Sequence, residues 1–360
     1  MPRSQDDAKG NRGLDVIRFG IVGCGVIAPW HARAISGTAE AELVACCDVI
    51  EERARKLSSD FGDPAVYTDY SEMLSRDDID AVCVCTPSGL HGQVTIDAAR
   101  AGKHVMCEKP VEITLPAIDG MVQACESAGV KLGVIFQRRT SPLWRKVKET
   151  VDSGLLGKMV LGDAYLKYHR SQEYYDSGDW RGTWALDGGG ALMNQGVHMV
   201  DIIRWIMGPV DTLYAQADHL VRNIEVEDTA CAVMKYSSGA FGVLEGTTSL
   251  RPGMDHRIEL HGENGTIVVE GEKIARWDVP DDSDAAAGNG QDGIGSSASD
   301  PTAIAAEGHQ VQIQDLCRAI IEDREPMVTG REARKAVEII LGVYESARTG
   351  APVNLASWKV

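Results

Sequence analysis

The run Gly23-Cys24-Gly25-Val26-Ile27-Ala28 has the spacing of a turn that holds a pyrophosphate. Its first glycine permits a tight bend, the second lets the backbone approach a phosphate, and the small Ala28 allows a helix to pack closely on a strand. The start of that helix, around Val26 and Ile27, presents N–H donors and the positive end of its dipole to the anion. Asp48 closes the next apolar run, about 25 residues on, where a carboxylate accepts from the hydroxyls of an adenosine ribose. It would repel a 2′-phosphate ~5 Å away by about 3 kcal/mol at an effective dielectric near 20. Val49 offers no guanidinium to hold such a phosphate, so the pattern favours NAD over NADP.

Further polar groups follow the ends of later apolar runs. Thr86-Pro87-Ser88, with His91 just beyond, succeeds one of them, and Glu108-Lys109-Pro110 succeeds the next. Residues at the carboxyl ends of parallel strands face the crevice in which a dinucleotide lies. Gln137-Arg138-Arg139 stands where the pattern of the chain changes, and two readings of it remain open. The arginines could hold a carboxylate or diphosphate bidentately, or the segment could be a polar interface between domains. Far downstream come Gly188-Gly189-Gly190, then Asn194 and His198 on one face of a helix by i,i+4 spacing, with Asp201 beyond.

The elements that must position these groups are legible in outline. From 16 to 136, short apolar runs at 17–22, 43–47, 81–85, 104–107 and 132–136 alternate with amphipathic stretches at 51–60, 91–101 and 115–128. That alternation predicts βαβ units and a doubly wound parallel sheet. After about Pro142 long period-two stretches take over, at 159–169, 213–219, 229–236, 241–249, 258–261 and 266–270. Turn signals at 237–239 and 263–265 join them into hairpins. The expected architecture is α/β: an N-terminal Rossmann domain over 15–140 and an α+β domain with a large, mostly antiparallel sheet over 141–330. A loose tail is expected over 1–14, a mobile Gly/Ser/Asp-rich loop over 281–300, and a C-terminal helix and tail over 331–360.

Bulk properties exclude several classes. With 360 residues and a formal charge of −17, without a compensating basic block, neither nucleic acid nor an anionic membrane is expected as a partner. The chain has no apolar membrane span and no signal core, which predicts a cytoplasmic location. Nine cysteines, several inside apolar runs, read as free thiols in a reducing compartment, and their spacings form no metal-ligand set.

The EKP triplet together with the GGG…H helix resembles the glucose–fructose oxidoreductase / inositol dehydrogenase / rhizopine-catabolism (Gfo/Idh/MocA) family, from about Val16 to the C-terminus. Asp179-Trp180-Arg181-Gly182-Thr183-Trp184 is similar to the family's approach to the glycine triplet. The resemblance implies that Lys109 and His198 flank a substrate carbon beside the nicotinamide. His198, with a pKa near its ordinary value, would act as base, and the Lys109 ammonium would stabilise a developing alkoxide. Many members carry an aspartate where this chain has Asn194, which can orient a hydroxyl but cannot take up a proton. Tyr168, His169, Arg170, Trp180 and Arg181, with Arg138, are the expected substrate contacts. Trp144, Tyr174, Tyr175 and Trp184 are further aromatics able to stack on a sugar.

The implied activity is NAD-dependent oxidation of a ring hydroxyl, with the 3-position favoured, of a glycoside, a nucleotide-sugar uronate or an inositol. Two alternatives stand beside it: glycoside cleavage by transient oxidation with retained NAD, and a non-catalytic NAD-binding sensor. The resemblance also implies a homo-oligomer formed through the antiparallel sheet.

Overall fold

The computed structural model describes residues 16–280 and 306–358; the tail expected over 1–14 and the loop expected over 281–300 lie outside them. The first sheet contains β1 (Ile17–Val22), β2 (Ala41–Cys47), β3 (Ala65–Tyr67), β4 (Ala81–Val84), β5 (His104–Cys107) and β6 (Leu132–Val134), all parallel. Their order, β3-β2-β1-β4-β5-β6, is doubly wound, with its switch point between β1 and β4. The crossovers are α1 (Ala28–Ser36), α2 (Glu51–Asp60), α3 (Tyr70–Leu74), α4 (His91–Arg100) and α5 (Leu115–Ala128). Every residue of β4 is buried, because helices cover both faces of the sheet, and so its strands read as continuous apolar runs. The three-residue β3 was too short to leave such a run.

The second sheet contains β7 (Met159–Lys167), β8 (Val210–Asp218), β9 (Thr229–Tyr236), β10 (Phe241–Thr247), β11 (Arg257–Gly262), β12 (Thr266–Glu270), β13 (Lys273–Asp278) and β14 (Val353–Asn354). Their order is β13-β12-β11-β7-β10-β9-β8-β14, and only the β7–β10 pair is parallel. The hairpins expected at 237–239 and 263–265 join β9 to β10 and β11 to β12. Burial alternates along β9: Ala230, Ala232, Met234 and Tyr236 point inward, while Cys231, Val233 and Lys235 point out. The inner face packs on α8 (Val197–Met207) and on a long terminal helix, Gly330–Thr349. Two further helices, α6 (Pro142–Asp152) and α7 (Gln172–Asp176), belong to this half.

One segment departs from the expected division. Helix α9 (Ala306–Ile321) falls inside the interval assigned to the second domain, yet it packs beside α1 on the parallel sheet. Its Ile313, Leu316 and Cys317 share one apolar cluster with Ile17, Phe19 and Ile21. The apolar stripe of α9 specified that the helix must be covered, but not by which sheet. The terminal helix, α10 (Gly330–Thr349), then returns the chain to the second sheet, where β14 pairs with β8. All nine cysteines are free, and eight are buried. Among the described residues no helix is long and apolar enough to cross a membrane.

Candidate active site

A cleft of about 2430 Å³ is lined from both halves of the molecule. At its cofactor end the glycine turn is sterically required. Gly23 has φ +92°, and a Cβ there would stand 2.7 Å from the Cys85 carbonyl group. A Cβ on Gly25 would meet nothing within 4 Å, so the backbone here is open to a ligand. Helix α1 starts without a side-chain cap; its Ala28 and Trp30 N–H groups turn back to the Gly25 and Ile27 carbonyls and Pro29 has no N–H, so it is the backbone of the turn itself, with the positive end of the helix dipole behind it, that would meet an anion. Asp48 lines the same end and ties the turn together: Oδ2 accepts from the Cys24 N–H and Oδ1 from the Ile50 N–H, both at 2.8 Å. Ionised carboxylate oxygens have further lone pairs for ribose hydroxyls. Gly23, Gly25, Val26, Ile27 and Asp48 therefore fit a dinucleotide. Arg53 of α2 lines this end as well, and the sequence reading missed it.

The strand-end groups also reach the cleft: Thr86, Pro87, Ser88, His91, Glu108, Lys109 and Gln137 all line it. Two of them are engaged in internal contacts. The ring nitrogens of His91 face the Pro110 and Thr86 carbonyls at 2.9 Å, clamping two strand-end loops together. Glu108 Oε2 accepts from the Lys109 N–H at 3.0 Å, and Oε1 meets His31 Nε2 at 2.8 Å and His309 Nε2 at 3.3 Å. Burial alone would raise the Glu108 pKa, but hydrogen bonds from His309 and His31 hold it well below the usual carboxylate range. The ligand atoms of this His–Glu–His set lie within 4.8 Å of one another, so its residue types could hold a metal ion. The hydrogen bonds among them account for the geometry without one. His309 comes from α9, whose first turn lines the cleft.

Lys109, Asn194 and His198 line one and the same cleft. The Lys109 Nζ donates to the backbone carbonyl of Asn194 at 3.1 Å. Expectation and structure differ in the helix: Ala191–Gly196 is a π-helical turn that leads into α8, so Asn194 and His198 do not share regular α spacing. The glycines before this turn are sterically required. Cβ atoms on Gly188, Gly189 and Gly190 would come within 2.3 Å of Ile113 Cγ2, 2.1 Å of the Tyr344 hydroxyl and 2.1 Å of the Glu227 carbonyl, respectively. The Glu227 carboxylate accepts from the Gly190 and Leu192 N–H groups and so draws in the start of this turn.

The histidine expectation also needs correction. His198 is half-buried, and its pKa lies well below the ordinary value, first through burial and then through Lys109 and Arg138. Burial likewise lowers Lys109, with Arg181 and Arg170 adding to the effect while Glu108 and Asp187 oppose it. At neutral pH the imidazole is thus neutral and able to accept a proton.

Of the expected substrate contacts, Arg138, Tyr168, Arg170, Trp180 and Arg181 line the cleft. His169 does not: in extended backbone it projects opposite to Tyr168 and Arg170, and its Nδ1 contacts the Leu250 carbonyl at 2.8 Å. Trp144 is fully buried in the core and can stack on no ligand. Arg138 forms an ion pair with Glu272, a partner the sequence did not indicate. Arg139 takes the interface reading, forking onto Asp201 at 2.7 and 2.5 Å and so pinning α8 to the junction. Arg170 donates to Gln195 Oε1 at 2.9 Å, and Arg181 donates to the Tyr174 hydroxyl at 2.5 Å while stacking on Tyr174 and Trp180. Tyr174, expected as an aromatic able to stack on a sugar, and Gln195 are part of the lining; only the neighbourhood of Gln195 to Asn194 could have suggested the glutamine.

Known proteins match the chain along most of its length. Residues 17–136 match the model of the oxidoreductase family with an NAD-binding Rossmann fold, and residues 144–268 match the GFO/IDH/MocA C-terminal domain. The WlbA dehydrogenase from Bordetella pertussis, solved in complex with NADH and UDP-GlcNAcA, superposes with a TM-score of 0.85 at 34% identity, covering 94% of this chain and 98% of that one. Myo-inositol 2-dehydrogenase from Thermotoga maritima is 32% identical over 71% of this chain and 75% of its own length. The NAD(+)-dependent scyllo-inositol 2-dehydrogenase of Bacillus subtilis is 26% identical over 94% of this chain and 96% of its own. The glycine turn and Asp48 thus lie in an NAD-binding Rossmann domain, and the chain is a member of the Gfo/Idh/MocA oxidoreductase family.

Proposed function

We propose that the protein oxidises a ring hydroxyl of an anionic sugar, of the nucleotide-sugar uronate class, to the ketone. One observation carries this reading: in a chain of net charge −17, the substrate half of the cleft gathers Lys109, Arg170 and Arg181, beside Arg138 in its ion pair with Glu272. Such a concentration of cations opposes the global field and suits a carboxylate or diphosphate. That a relative of 34% identity was solved with UDP-GlcNAcA supports the same class.

NAD, when bound along the glycine turn and Asp48, supplies the hydride acceptor. His198, neutral at physiological pH, takes the hydroxyl proton, and the Lys109 ammonium stabilises negative charge growing on the same oxygen in a water-poor crevice. A second assignment, in the direction in which burial moves Lys109, makes its amine the base and leaves the neutral His198 imidazole to donate a hydrogen bond to the same oxygen. Exposed Val233, Phe241, Leu161 and Tyr214 on the outer face of the second sheet support its use as the contact between copies of the chain.

The test is the rise in absorbance at 340 nm when purified protein and NAD meet UDP-GlcNAcA, other sugar uronates, and neutral inositols and glycosides. The expected result is turnover of a uronate at a kcat/KM at least about tenfold above every neutral compound, a difference of one charge-assisted contact. Preference for a neutral polyol would overturn the anionic-substrate reading.

A further inference from the structure

Asp187, the residue before the glycine triplet, has no part in the chemistry assigned above. It is 1% exposed, and its partners are neutral: Oδ2 accepts from the Gly182 N–H at 2.8 Å and Oδ1 from Asn194 Nδ2 at 2.6 Å. Tying a loop to an amide requires only an acceptor, and a buried negative charge is a costly way to provide one. The charge therefore calls for its own explanation.

The surroundings supply one. Asn194, held by Asp187 through its side chain, offers its backbone carbonyl to the Lys109 ammonium at 3.1 Å. Lys109 is faced by Glu108 from its own strand end, by Asp187, Arg181 and Arg170 from the second half, and by His198 from α8. Glu108, the other acid, already serves His31 and His309. Asp187 in turn is faced by Arg181 and Lys109, and by the phenols of Tyr174, Tyr175 and Tyr344.

We propose that Asp187 is a positioning residue for the dehydrogenation: its carboxylate orients Asn194, and through it Lys109, and its charge keeps Lys109 an ammonium among the crowding arginines. This rests on the role given to Lys109 above. Because burial pushes Asp187 up to about 6, the support it lends to Lys109 is present above that pH and fades as pH falls through it.

Three proteins test the idea: wild type, D187N, and D187N/N194D, in which the amide and carboxylate of the hydrogen-bonded pair are exchanged. Lys109 ionisation is read without turnover, from the pH dependence of its acetylation by acetic anhydride, quantified by peptide mass spectrometry. Steady-state kinetics with NAD and a sugar uronate form the second readout. In D187N the labelling midpoint should move about one pH unit or more to the acid side. Its kcat should fall about tenfold to hundredfold, with KM for NAD held within about twofold. The exchanged pair should bring the midpoint and the alkaline limb of kcat back towards wild type. An unmoved midpoint in D187N, or an exchanged pair that restores neither quantity, overturns the proposal. Should D187N fail to bind NAD or melt early, the exchanged pair alone decides: a midpoint near wild type supports the proposal, and one displaced by a unit overturns it. Absence of NADH from wild type with every uronate would instead sink the anionic-sugar reading, while labelling still decides whether Asp187 controls Lys109.

Discussion

The two sheets solve the problem of presenting chemistry in opposite ways. The parallel sheet is buried on both faces, so the groups it presents to the cofactor end, from Gly23 and Asp48 to Lys109, sit just past its strands and not along them. The mostly antiparallel sheet has a buried and an open face, and it contributes mainly a platform. What reaches the cleft from that half comes largely from what lies on the platform or extends beyond its strands: the π-helical turn with Asn194, the head of α8 with His198, and the residues at 168–181. A short sequence motif thus builds the cofactor end, while residues distant in sequence must converge to build the substrate end.

The comparison predicts that the two ends fail separately. The largest effect is expected for Lys109→Met: kcat should fall about 10³-fold, as when a charged stabiliser is removed from a crevice, while NAD binding by calorimetry stays within about twofold. A parallel loss of NAD affinity would mean that the ends are not separable. Asp48→Ala should do the reverse, weakening NAD about tenfold to hundredfold and narrowing its advantage over NADP, with kcat at saturating NAD largely kept.

The pH profile sharpens the assignment of roles. With His198 as base, kcat/KM falls as pH drops through the His198 pKa, which lies well below 6.5. It also falls as pH rises through the Lys109 pKa, which lies below 10.5. Outside the plateau the loss approaches tenfold per pH unit. If Lys109 is the base, activity instead climbs with pH through that upper limb, and the second assignment wins. The smallest effect belongs to the open face of the second sheet. The change V233D/F241E should leave NAD affinity and turnover alone and alter intrinsic chain stability by about 0.5 kcal/mol or less per site. Sedimentation should nevertheless shift towards single chains; an unchanged sedimentation coefficient would remove this face as the contact.

Legibility followed the range of the interactions involved. Five of the six parallel strands and the hairpins at 237–239 and 263–265 were visible because period and turn chemistry are local. So were Gly23, Gly25 and Asp48, which act within one βαβ unit. His169 was misplaced by one residue of strand alternation, and the π-helical turn at 191–196 could not be foreseen from i,i+4 spacing. The Arg138–Glu272 pair and the His31–Glu108–His309 cluster join residues far apart in the chain, and no periodicity reports such partners.

Sequence alone determined the class of fold, the cofactor turn and its acid, and, with a family resemblance, the identity of the crevice lysine and helix histidine. These follow from strand period, glycine geometry and motif spacing, all of which act over short stretches of chain. Only the tertiary structure decided that α9 joins the parallel sheet and that both ring nitrogens of His91 face carbonyls. It alone showed that burial among cations lowers His198 and Lys109, and that the acid beside Asn194 is Asp187. The reason is physical: desolvation, through-space charge and the choice among apolar faces depend on which distant segments meet.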